Sequence, residues 1–289
     1  MRTKRLALTG AVALAAAGTL AACGGGDDDT ITIGVHAGWE EGIAVSYLWA
    51  NVLEEQGYTV ELETADAGVV FQSLADGTYD LNFDTWLPAT HADYLERYGD
   101  DIEEVGMWYE NAPLTIAVNE DAPIQSLAEL ADNADAFGNR LVGIDPGAGL
   151  TRITEDEVIP TYGLEDMEFV VSSTSAMLAE LGAAMDSGED IVVTLWRPHW
   201  AYDAFDIRDL EDPEGALGEP DDIYIYGHSG FAEDNDEVAG WLSNFTMGDE
   251  DLASLENIIF NEGGGDDPAA GVEQWLEENP DFADTMISE

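Results

Sequence analysis

Apolar runs of strand length that alternate with helix-length segments are the feature that most limits how this chain can fold. Residues 30–35 alternate apolar and polar side chains, as a half-buried strand does. Further strands are predicted at 58–62 and 79–83, with helices at 43–53 and 69–75 between them. Strands that alternate with helices form βαβ units, so we expect mostly parallel strands flanked by helices.

A second set of such units begins near residue 116. The predicted strands are 116–118, 141–144 and 191–195, and the predicted helices are 124–130, 150–162 and 175–187. The later helical segments, at 238–242, 252–261 and 268–278, have no strands between them. We therefore expect them to pack back onto the first half of the chain.

These patterns predict an α/β fold of two lobes, each a mostly parallel sheet flanked by helices. A chain of 289 residues is long enough for two such units. Lobe 1 is predicted to be discontinuous, with residues 30–116 and 224–289, and lobe 2 to contain 117–223. The chain is expected to cross between them near 114–119 and 222–226.

Two Trp-x-Pro sequences occupy matching places, one in each predicted lobe. Trp86 and Pro88 follow the strand at 79–83, and Trp196 and Pro198 come at the end of the other lobe's strand. Proline is favoured in the first turn of a helix, so each motif is predicted to join a strand to a helix. Ligands of open α/β sheets bind at the carboxyl ends of strands. We therefore expect both indoles at an interlobe cleft, with a plain core or lobe-interface role as the alternative.

Opposed indoles suit a ligand that carries a quaternary ammonium group. Such a group has no N–H to donate, and aromatic faces attract its diffuse charge by about 0.5–2 kcal/mol per contact. A carboxylate on the same ligand would need strong donors. The amides of Gly42 and Ile43 are predicted to be those donors, because the first amides of a helix have no partner within it. Gly42 is also consistent with a plain turn residue.

Four segments together resemble the glycine betaine/proline betaine substrate-binding proteins of ABC-type importers. They are 38–45 (GWEEGIAV), 84–94 (DTWLPATHADY), 143–149 (GIDPGAG) and 193–200 (VTLWRPHW). The resemblance implies a type II periplasmic-binding-protein-like fold, whose two lobes close on a hinge around a ligand in the cleft. It also implies that Trp86 and Trp196 form part of a tryptophan box for trimethylammonium, and that the amides of Gly42 and Ile43 bind the carboxylate.

One position departs from the family pattern. Related proteins have a third box tryptophan where this chain has Met247. Methionine is polarizable but lacks the π face of an indole. Three outcomes are open: Trp39 or another aromatic residue completes the box, affinity is weaker, or the preferred ligand differs. The family's carboxylate-binding histidine is not assigned by the resemblance, and the candidates, each with a structural role as the alternative, are His91, His199 and His228.

The N-terminal residues have the pattern of an export signal followed by a membrane tether. A basic start precedes an uncharged apolar run at 6–20, which is too short to span a bilayer comfortably. The Leu-Ala-Ala that precedes Cys23 resembles the end of a bacterial lipobox. We predict that residues 1–22 are a signal peptide, that Cys23 carries the lipid, and that 23–29 are a flexible tether. Ordinary secretion is the alternative.

Acidic residues greatly outnumber basic ones. After residue 22 the chain has 62 acidic residues, five arginines and no lysine, which gives a net charge of −57. Nucleic acid is excluded as a partner, because phosphate binding needs clustered basic residues. The Debye length is about 3 Å at 1 M salt, so this self-repulsion becomes tolerable in brine. We interpret the surface as an adaptation to a saline exterior, with a cation-collecting surface as the alternative.

Motifs for catalysis or for a metal are missing from the sequence. It has one cysteine, no Gly-x-Ser-x-Gly and no His-Glu-x-x-His. The segment 146–149 (PGAG) lacks the lysine of a phosphate-binding loop, so a tight turn is predicted there. We therefore predict no enzyme activity, no metal and no cofactor, and an extracellular hydrolase is the alternative class.

The predicted function is capture of a compatible solute outside the cell. The protein is expected to be lipid-anchored to the outer face of the membrane and to bind glycine betaine or a similar small zwitterion. It would deliver this ligand to an ABC permease that a cytoplasmic ATPase drives. Choline, carnitine, ectoine or an amino acid are the alternative ligands.

Overall fold

The computed structural model of the protein describes residues 30–263 and 265–288. The predicted signal peptide, Cys23 and the tether lie outside the described residues. Ten strands run through the part described, and their bounds follow in chain order: β1 (Thr30–His36), β2 (Thr59–Ala65), β3 (Leu81–Leu87), β4 (Ile102–Ala112), β5 (Leu114–Asn119), β6 (Arg140–Val142), β7 (Glu168–Val170), β8 (Val192–Trp196), β9 (Ile207–Asp209) and β10 (Asp221–His228).

The strands form two five-stranded sheets, so the prediction of a two-lobed α/β fold is confirmed. The first sheet has the order β2-β1-β3-β10-β4, and the second has the order β7-β6-β8-β5-β9. In each sheet one strand arrives from the other lobe: β10 in the first and β5 in the second.

The prediction of mostly parallel sheets is confirmed in that four of the five strands of each sheet run in one direction, but both sheets are mixed, because one strand runs against the others. In the first sheet β1 is parallel to β2 and β3, whereas β10 is antiparallel to β3 and β4. The second sheet repeats this arrangement, with β6 parallel to β7 and β8, and β5 antiparallel to β8 and β9. In each sheet the antiparallel strand is the one that arrives from the other lobe, because it enters between two strands that run in the opposite direction.

Helices cover the sheets, as the alternating pattern predicts. They are α1 (Glu40–Glu55), α2 (Ala67–Ala75), α3 (Ala92–Tyr98), α4 (Gly149–Ile153), α5 (Ile159–Tyr162), α6 (Thr174–Ser187), α7 (Ala201–Ala204), α8 (Phe231–Asp234), α9 (Asp236–Asn244), α10 (Asp249–Glu256), α11 (Pro268–Glu278) and α12 (Phe282–Met286). Short 3-10 turns are present at Leu127–Glu129 and Ala131–Phe137. The first lies within the segment 124–130 that the sequence predicts to be a helix, and the second follows it. Wider π turns at Thr154–Val158 and Asn257–Glu262 continue α4 and α10.

Helix α1 shows how the apolar spacing becomes packing. One side of the helix is fully buried, including Leu48, Trp49 and Leu53. The later helices α10 and α11 contact α1, so the C-terminal segment returns to the first lobe, as the sequence predicts. Burying a side chain such as Leu53 stabilises the fold by about 2 kcal/mol.

The sheets divide the chain a few residues before the predicted lobe boundaries. The boundaries at 116/117 and 223/224 fall inside β5 and β10, which belong whole to the second and the first sheet respectively. Pro113 alone separates β4 from β5, and residues 210–220 join β9 to β10. These two short connections link the lobes.

The two Trp-x-Pro motifs do not place proline in a helical turn, which corrects the sequence interpretation. Both Leu87–Pro88 and Arg197–Pro198 are cis peptide bonds. Helix α3 begins only at Ala92, and α7 only at Ala201. Each proline therefore stands in a turn between the strand and the helix. Among the described residues no helix is long and apolar enough to cross a bilayer.

Candidate ligand-binding site

A small cavity lies between the two sheets. Its lining residues come from the ends of β1, β3, β6 and β8 or from the segments that follow them, together with the start of β5. They are Trp39, Glu41, Trp86, Thr90, His91, Leu114, Ile144, Ala148, Gly149, Leu150 and Trp196. The carboxyl ends of strands from both lobes therefore meet at one place, where open α/β sheets bind ligands.

Three tryptophans from the two lobes line this cavity. Trp39 follows β1, Trp86 lies near the end of β3, and Trp196 is the last residue of β8. Their side chains are nearly inaccessible to solvent, with exposed fractions of 6%, 3% and 3%. The structure thus brings together the two indoles predicted from the sequence and the one offered as a third wall.

Carboxylates hold two of the indoles by their N–H groups. Trp86 donates its Nε1–H to Asp84 Oδ1 at 2.6 Å, and Trp196 donates its Nε1–H to Glu41 Oε2 at 2.8 Å. The second bond joins the lobes, because Glu41 is in α1 and Trp196 in β8. An indole has a single N–H, and here each N–H is bound to a buried carboxyl oxygen, so both rings are fixed in orientation.

The buried carboxyls beside the indoles are difficult to ionise. Burial raises the pKa of Glu41 well above its usual value, and the charges of Asp84 and Glu256 raise this pKa further, against the hydrogen bond from Trp196. Burial raises the pKa of Asp84 to about 7, although the bond from Trp86 opposes the shift. Burial likewise raises the pKa of Glu256. A positive charge in the cavity would therefore stabilise the ionised form of this cluster.

The segment between Trp86 and His91 forms a closed loop that carries three lining residues. The His91 amide donates to the Trp86 carbonyl at 3.0 Å, and the Trp86 amide donates to His91 Nδ1 at 2.9 Å. Burial lowers the pKa of His91 well below its usual value, so the ring is neutral. Because Nδ1 accepts, the ring proton is on Nε2. His91 Nε2 and Thr90 Oγ1 are both buried and have no hydrogen-bond partner among the described residues.

Other predicted site residues are not among those that line the cavity. Gly42 is packed against Asp84, which a Cβ at this position would overlap. The Ile43 amide donates to the Trp39 carbonyl at 3.0 Å, within the first turn of α1. Met247 is buried near Trp108, whose carbonyl accepts its amide at 3.0 Å.

The remaining histidine candidates are not among the lining residues, although the His199 ring packs edge-on against Trp196, with ring centroids 4.7 Å apart. His199 Nε2 is 3.2 Å from a carboxylate oxygen of Glu40. His228, the last residue of β10 in the first sheet, has its Nε2 3.4 Å from a carboxylate oxygen of Asp80. Of the three histidines considered from the sequence, only His91 lines the cavity.

Contacts between the lobes close the cavity on one side. Arg152 of α4 pairs with Asp93 at 3.0 Å and also donates to the carbonyls of Ala89 and Thr90 at 3.2 and 3.3 Å. Gly149 lies so close to the Thr90 carbonyl that a Cβ there would overlap it. The small residues of the predicted tight turn at 146–149 therefore allow lobe 2 to approach lobe 1.

Several lining residues were not singled out from the sequence. Thr90 lies within the segment that carries the family resemblance, but nothing in its pattern separates it from its neighbours. Glu41 is one of 62 acidic residues, and its place two residues after Trp39 is the one signal that could have drawn attention to it. No group of three or more metal-ligating side chains is found in the described part of the chain.

The chain is similar over residues 29–278 to the family described as the substrate binding domain of ABC-type glycine betaine transport system. It is 33% identical over 152 residues to the glycine betaine/carnitine transport binding protein GbuC of Listeria monocytogenes serotype 1/2a, a match that covers 52% of this chain and 49% of GbuC. This match therefore spans about half of that relative's length.

Solved structures share the architecture over most of the chain. ProX from Borrelia burgdorferi, a glycine betaine/L-proline-binding protein, is 29% identical with a TM-score of 0.83, covering 90% of this chain and 97% of ProX. Lactococcal OpuAC, in its closed-liganded conformation complexed with glycine betaine, is 26% identical with a TM-score of 0.82. That comparison covers 90% of this chain and 100% of OpuAC.

Proposed function

Because the chain belongs to the family of substrate-binding domains of ABC-type glycine betaine transport systems, as its sequence resemblance implies, we propose that it captures glycine betaine or a closely related quaternary-ammonium solute for import. The observation that carries this proposal is the convergence of Trp39, Trp86 and Trp196 on one buried cavity between the lobes. The family consists of substrate-binding domains, which is a class distinct from enzymes.

The ammonium end of the ligand would be held by the three indoles. Each indole face attracts a desolvated cation by up to about 2 kcal/mol. The carboxylates of Asp84 and Glu41 accept the N–H groups of Trp86 and Trp196, which keeps the ring faces in place. None of the residues that line the cavity is a lysine or an arginine, so nothing basic in the lining opposes a cation.

The carboxylate end of glycine betaine would accept hydrogen bonds from His91 and Thr90. Both residues line the cavity, and both present a buried donor atom without a partner in the part of the chain that the structure describes. An unsatisfied buried donor costs about 1–3 kcal/mol, which a ligand acceptor would remove. The predicted alternative, the amides of Gly42 and Ile43, is supported less well, since the Ile43 amide already donates to Trp39.

Choline is a second candidate ligand, and Glu41 favours it. This carboxylate lines the cavity together with the indoles. Choline carries the same trimethylammonium group but a hydroxyl in place of the carboxylate, so it would not be repelled by Glu41 or Asp84. The ratio of the affinities for choline and glycine betaine therefore reports how much of the buried carboxyl cluster is ionised.

Lipid anchoring at Cys23 and partnership with a membrane permease complete the proposed role. The Leu-Ala-Ala-Cys sequence and the basic, apolar N-terminal region support export and anchoring. The net charge of −57 after residue 22 supports a saline exterior, where import of compatible solutes balances osmotic pressure. Mass spectrometry of the protein from its native membrane would detect the lipid on Cys23.

Titration calorimetry at about 1 M salt, where surface charges are screened, tests the ligand class. The panel is glycine betaine, proline betaine, carnitine, choline, ectoine and proline. The decisive control is 3,3-dimethylbutanoate, which replaces the ammonium nitrogen of glycine betaine by carbon and removes the positive charge. We expect glycine betaine to bind and this analogue to bind at least tenfold more weakly. Equal affinities would refute cation–π recognition.

Substitution of the indoles tests the site itself. Trp86→Ala and Trp196→Ala should each weaken binding by more than about 1 kcal/mol while the protein remains folded. Trp241, which is half-buried in α9 and far from the cavity lining, supplies the matched control Trp241→Ala. Unchanged dissociation constants for both cavity variants, or an equal loss in the control, would end the proposal.

A further inference from the structure

Asp221 occupies the place where both connections between the lobes meet. It begins β10, where the second connection enters the first sheet, and it is paired across the ladder with Ala112. Ala112 is the last residue of β4, and Pro113 leads from there into β5 of the other sheet. The side chain of Asp221 is only 2% exposed.

Both carboxylate oxygens of Asp221 accept hydrogen bonds from the cavity wall. Its Oδ1 accepts the Ala89 amide at 2.7 Å, and its Oδ2 accepts the Thr90 amide at 2.9 Å. These two amides belong to the closed loop from Trp86 to His91, which carries three of the residues that line the cavity. A buried carboxylate with two backbone donors makes strong, geometrically specific bonds.

The same two residues are held from the opposite side by the other lobe. The carbonyls of Ala89 and Thr90 accept hydrogen bonds from the Arg152 guanidinium. Asp221 therefore fixes the amide side of this segment to the interlobe connections, and Arg152 fixes its carbonyl side to lobe 2. Lobe rotation and the position of Trp86 and Thr90 are linked through one short segment.

We propose that Asp221 is a positioning residue for ligand capture, which holds the Trp86–His91 wall in register with the interlobe connections when the lobes close. This inference rests on the proposed function of the cavity. Without the Asp221 bonds the wall would be free to shift relative to the connections, so a closed complex would open more readily. The expected signature is a higher dissociation rate constant, koff, with little change in the association rate constant.

Asp221→Asn is the direct test, and the neighbouring Asp222→Asn is its matched control. An asparagine has one acceptor oxygen, and its NH2 group would face a backbone N–H, so one of the two bonds is lost. Asp222 also accepts a backbone amide, that of Asn111 at 2.9 Å, but this amide belongs to β4 and not to the cavity wall. The pair therefore separates loss of any acidic acceptor at the start of β10 from loss of this particular one.

Stopped-flow tryptophan fluorescence with glycine betaine, at about 1 M salt, measures both rate constants. We expect Asp221→Asn to raise koff about tenfold or more, and Asp222→Asn to change it less than about twofold. Thermal unfolding without ligand, run on both variants, identifies any general loss of stability. Equal koff values for the two variants and the wild type, or an equal rise in both variants, would overturn the inference.

Two further variants keep the outcomes separate. If Asp221→Asn does not fold, the test uses Asp221→Glu, which keeps the charge and displaces the carboxylate by one methylene. A folded Asp221→Glu with wild-type koff would overturn the inference. Trp86→Ala in the same series tests the proposed function. If Trp86→Ala leaves binding intact, the proposed function fails; if only the Asp221 variants behave as wild type, the positioning role alone fails.

Discussion

Replacing Asp84 by asparagine should stabilise the ligand-free protein at neutral pH. Asp84 is buried in β3, and burial raises its pKa from 3.8 to about 7. The folded protein therefore keeps a proton that the unfolded chain releases between these pH values, so stability falls as pH rises through this window. The asparagine is uncharged and its carbonyl can still accept the Trp86 N–H, so the variant avoids this loss.

The size of the effect follows from the shift in pKa. One pKa unit corresponds to about 1.4 kcal/mol, so the free energy of unfolding of Asp84→Asn should exceed that of the wild type by about 4 kcal/mol at pH 7. At pH 5, about one unit above the unfolded value, the difference should shrink to about 1.5 kcal/mol. Urea unfolding followed by tryptophan fluorescence, at about 1 M salt and without ligand, measures it.

A control variant separates this effect from the relief of general charge repulsion. Asp100→Asn removes one negative charge from an exposed position of the same lobe. Its effect should be small and nearly independent of pH over this range. The reasoning would be refuted if Asp84→Asn were no more stable than the wild type at pH 7, or if its gain matched that of Asp100→Asn at every pH.

Two further predictions concern the lobe contact and the ligand preference. Arg152→Gln should speed ligand dissociation in stopped-flow measurements, because the Arg152 guanidinium joins α4 to the carbonyls of the cavity wall. The control is Arg140→Gln, which removes an ion pair with Glu180 of the same lobe at 2.9 Å. Glu41→Gln should lower choline affinity about tenfold and lower glycine betaine affinity less, as measured by calorimetry, because it removes a carboxyl group of the cavity lining whose ionised form a bound cation would stabilise. A variant with unchanged ligand preference would contradict the second prediction.

The repeated strand–helix pattern was enough to predict two lobes, but not the direction of every strand. Residues 30–35 and 191–195 are apolar or alternating runs whose character is local, and strands form there. Strand β4 mixes three glutamates and one asparagine with its apolar residues, so its sequence does not read as a strand. The antiparallel insertion of β10 beside it depends on pairing between segments more than a hundred residues apart, which no local pattern encodes.

The tryptophans of the site could be anticipated because position and chemistry agree. Trp86 and Trp196 each lie at the end of a strand, one in each lobe, and the rarity of tryptophan makes the match informative. The acidic residues could not be anticipated in this way. Glu41 and Trp196 are 155 residues apart, and Asp221 and Ala89 are 132 apart. In a chain with 62 acidic residues, only the fold shows which carboxylates are buried.

The buried carboxyls also bear on why the proposed ligand should carry a positive charge. Glu41, Asp84 and Glu256 are all buried, and burial raises the pKa of each; the charges of Asp84 and Glu256 raise the pKa of Glu41 further, and the charge of Glu40 raises those of Asp84 and Glu256. In an empty, closed cleft these groups would have to take up protons or repel one another, which favours separation of the lobes. A cation between the indoles would offset that cost by several kcal/mol, since charges a few ångströms apart interact by about 3–4 kcal/mol at an effective dielectric constant of 20. Closure would then be coupled to the charge of the ligand as well as to its shape, so a neutral isostere should fail to close the lobes even where it fits the cavity.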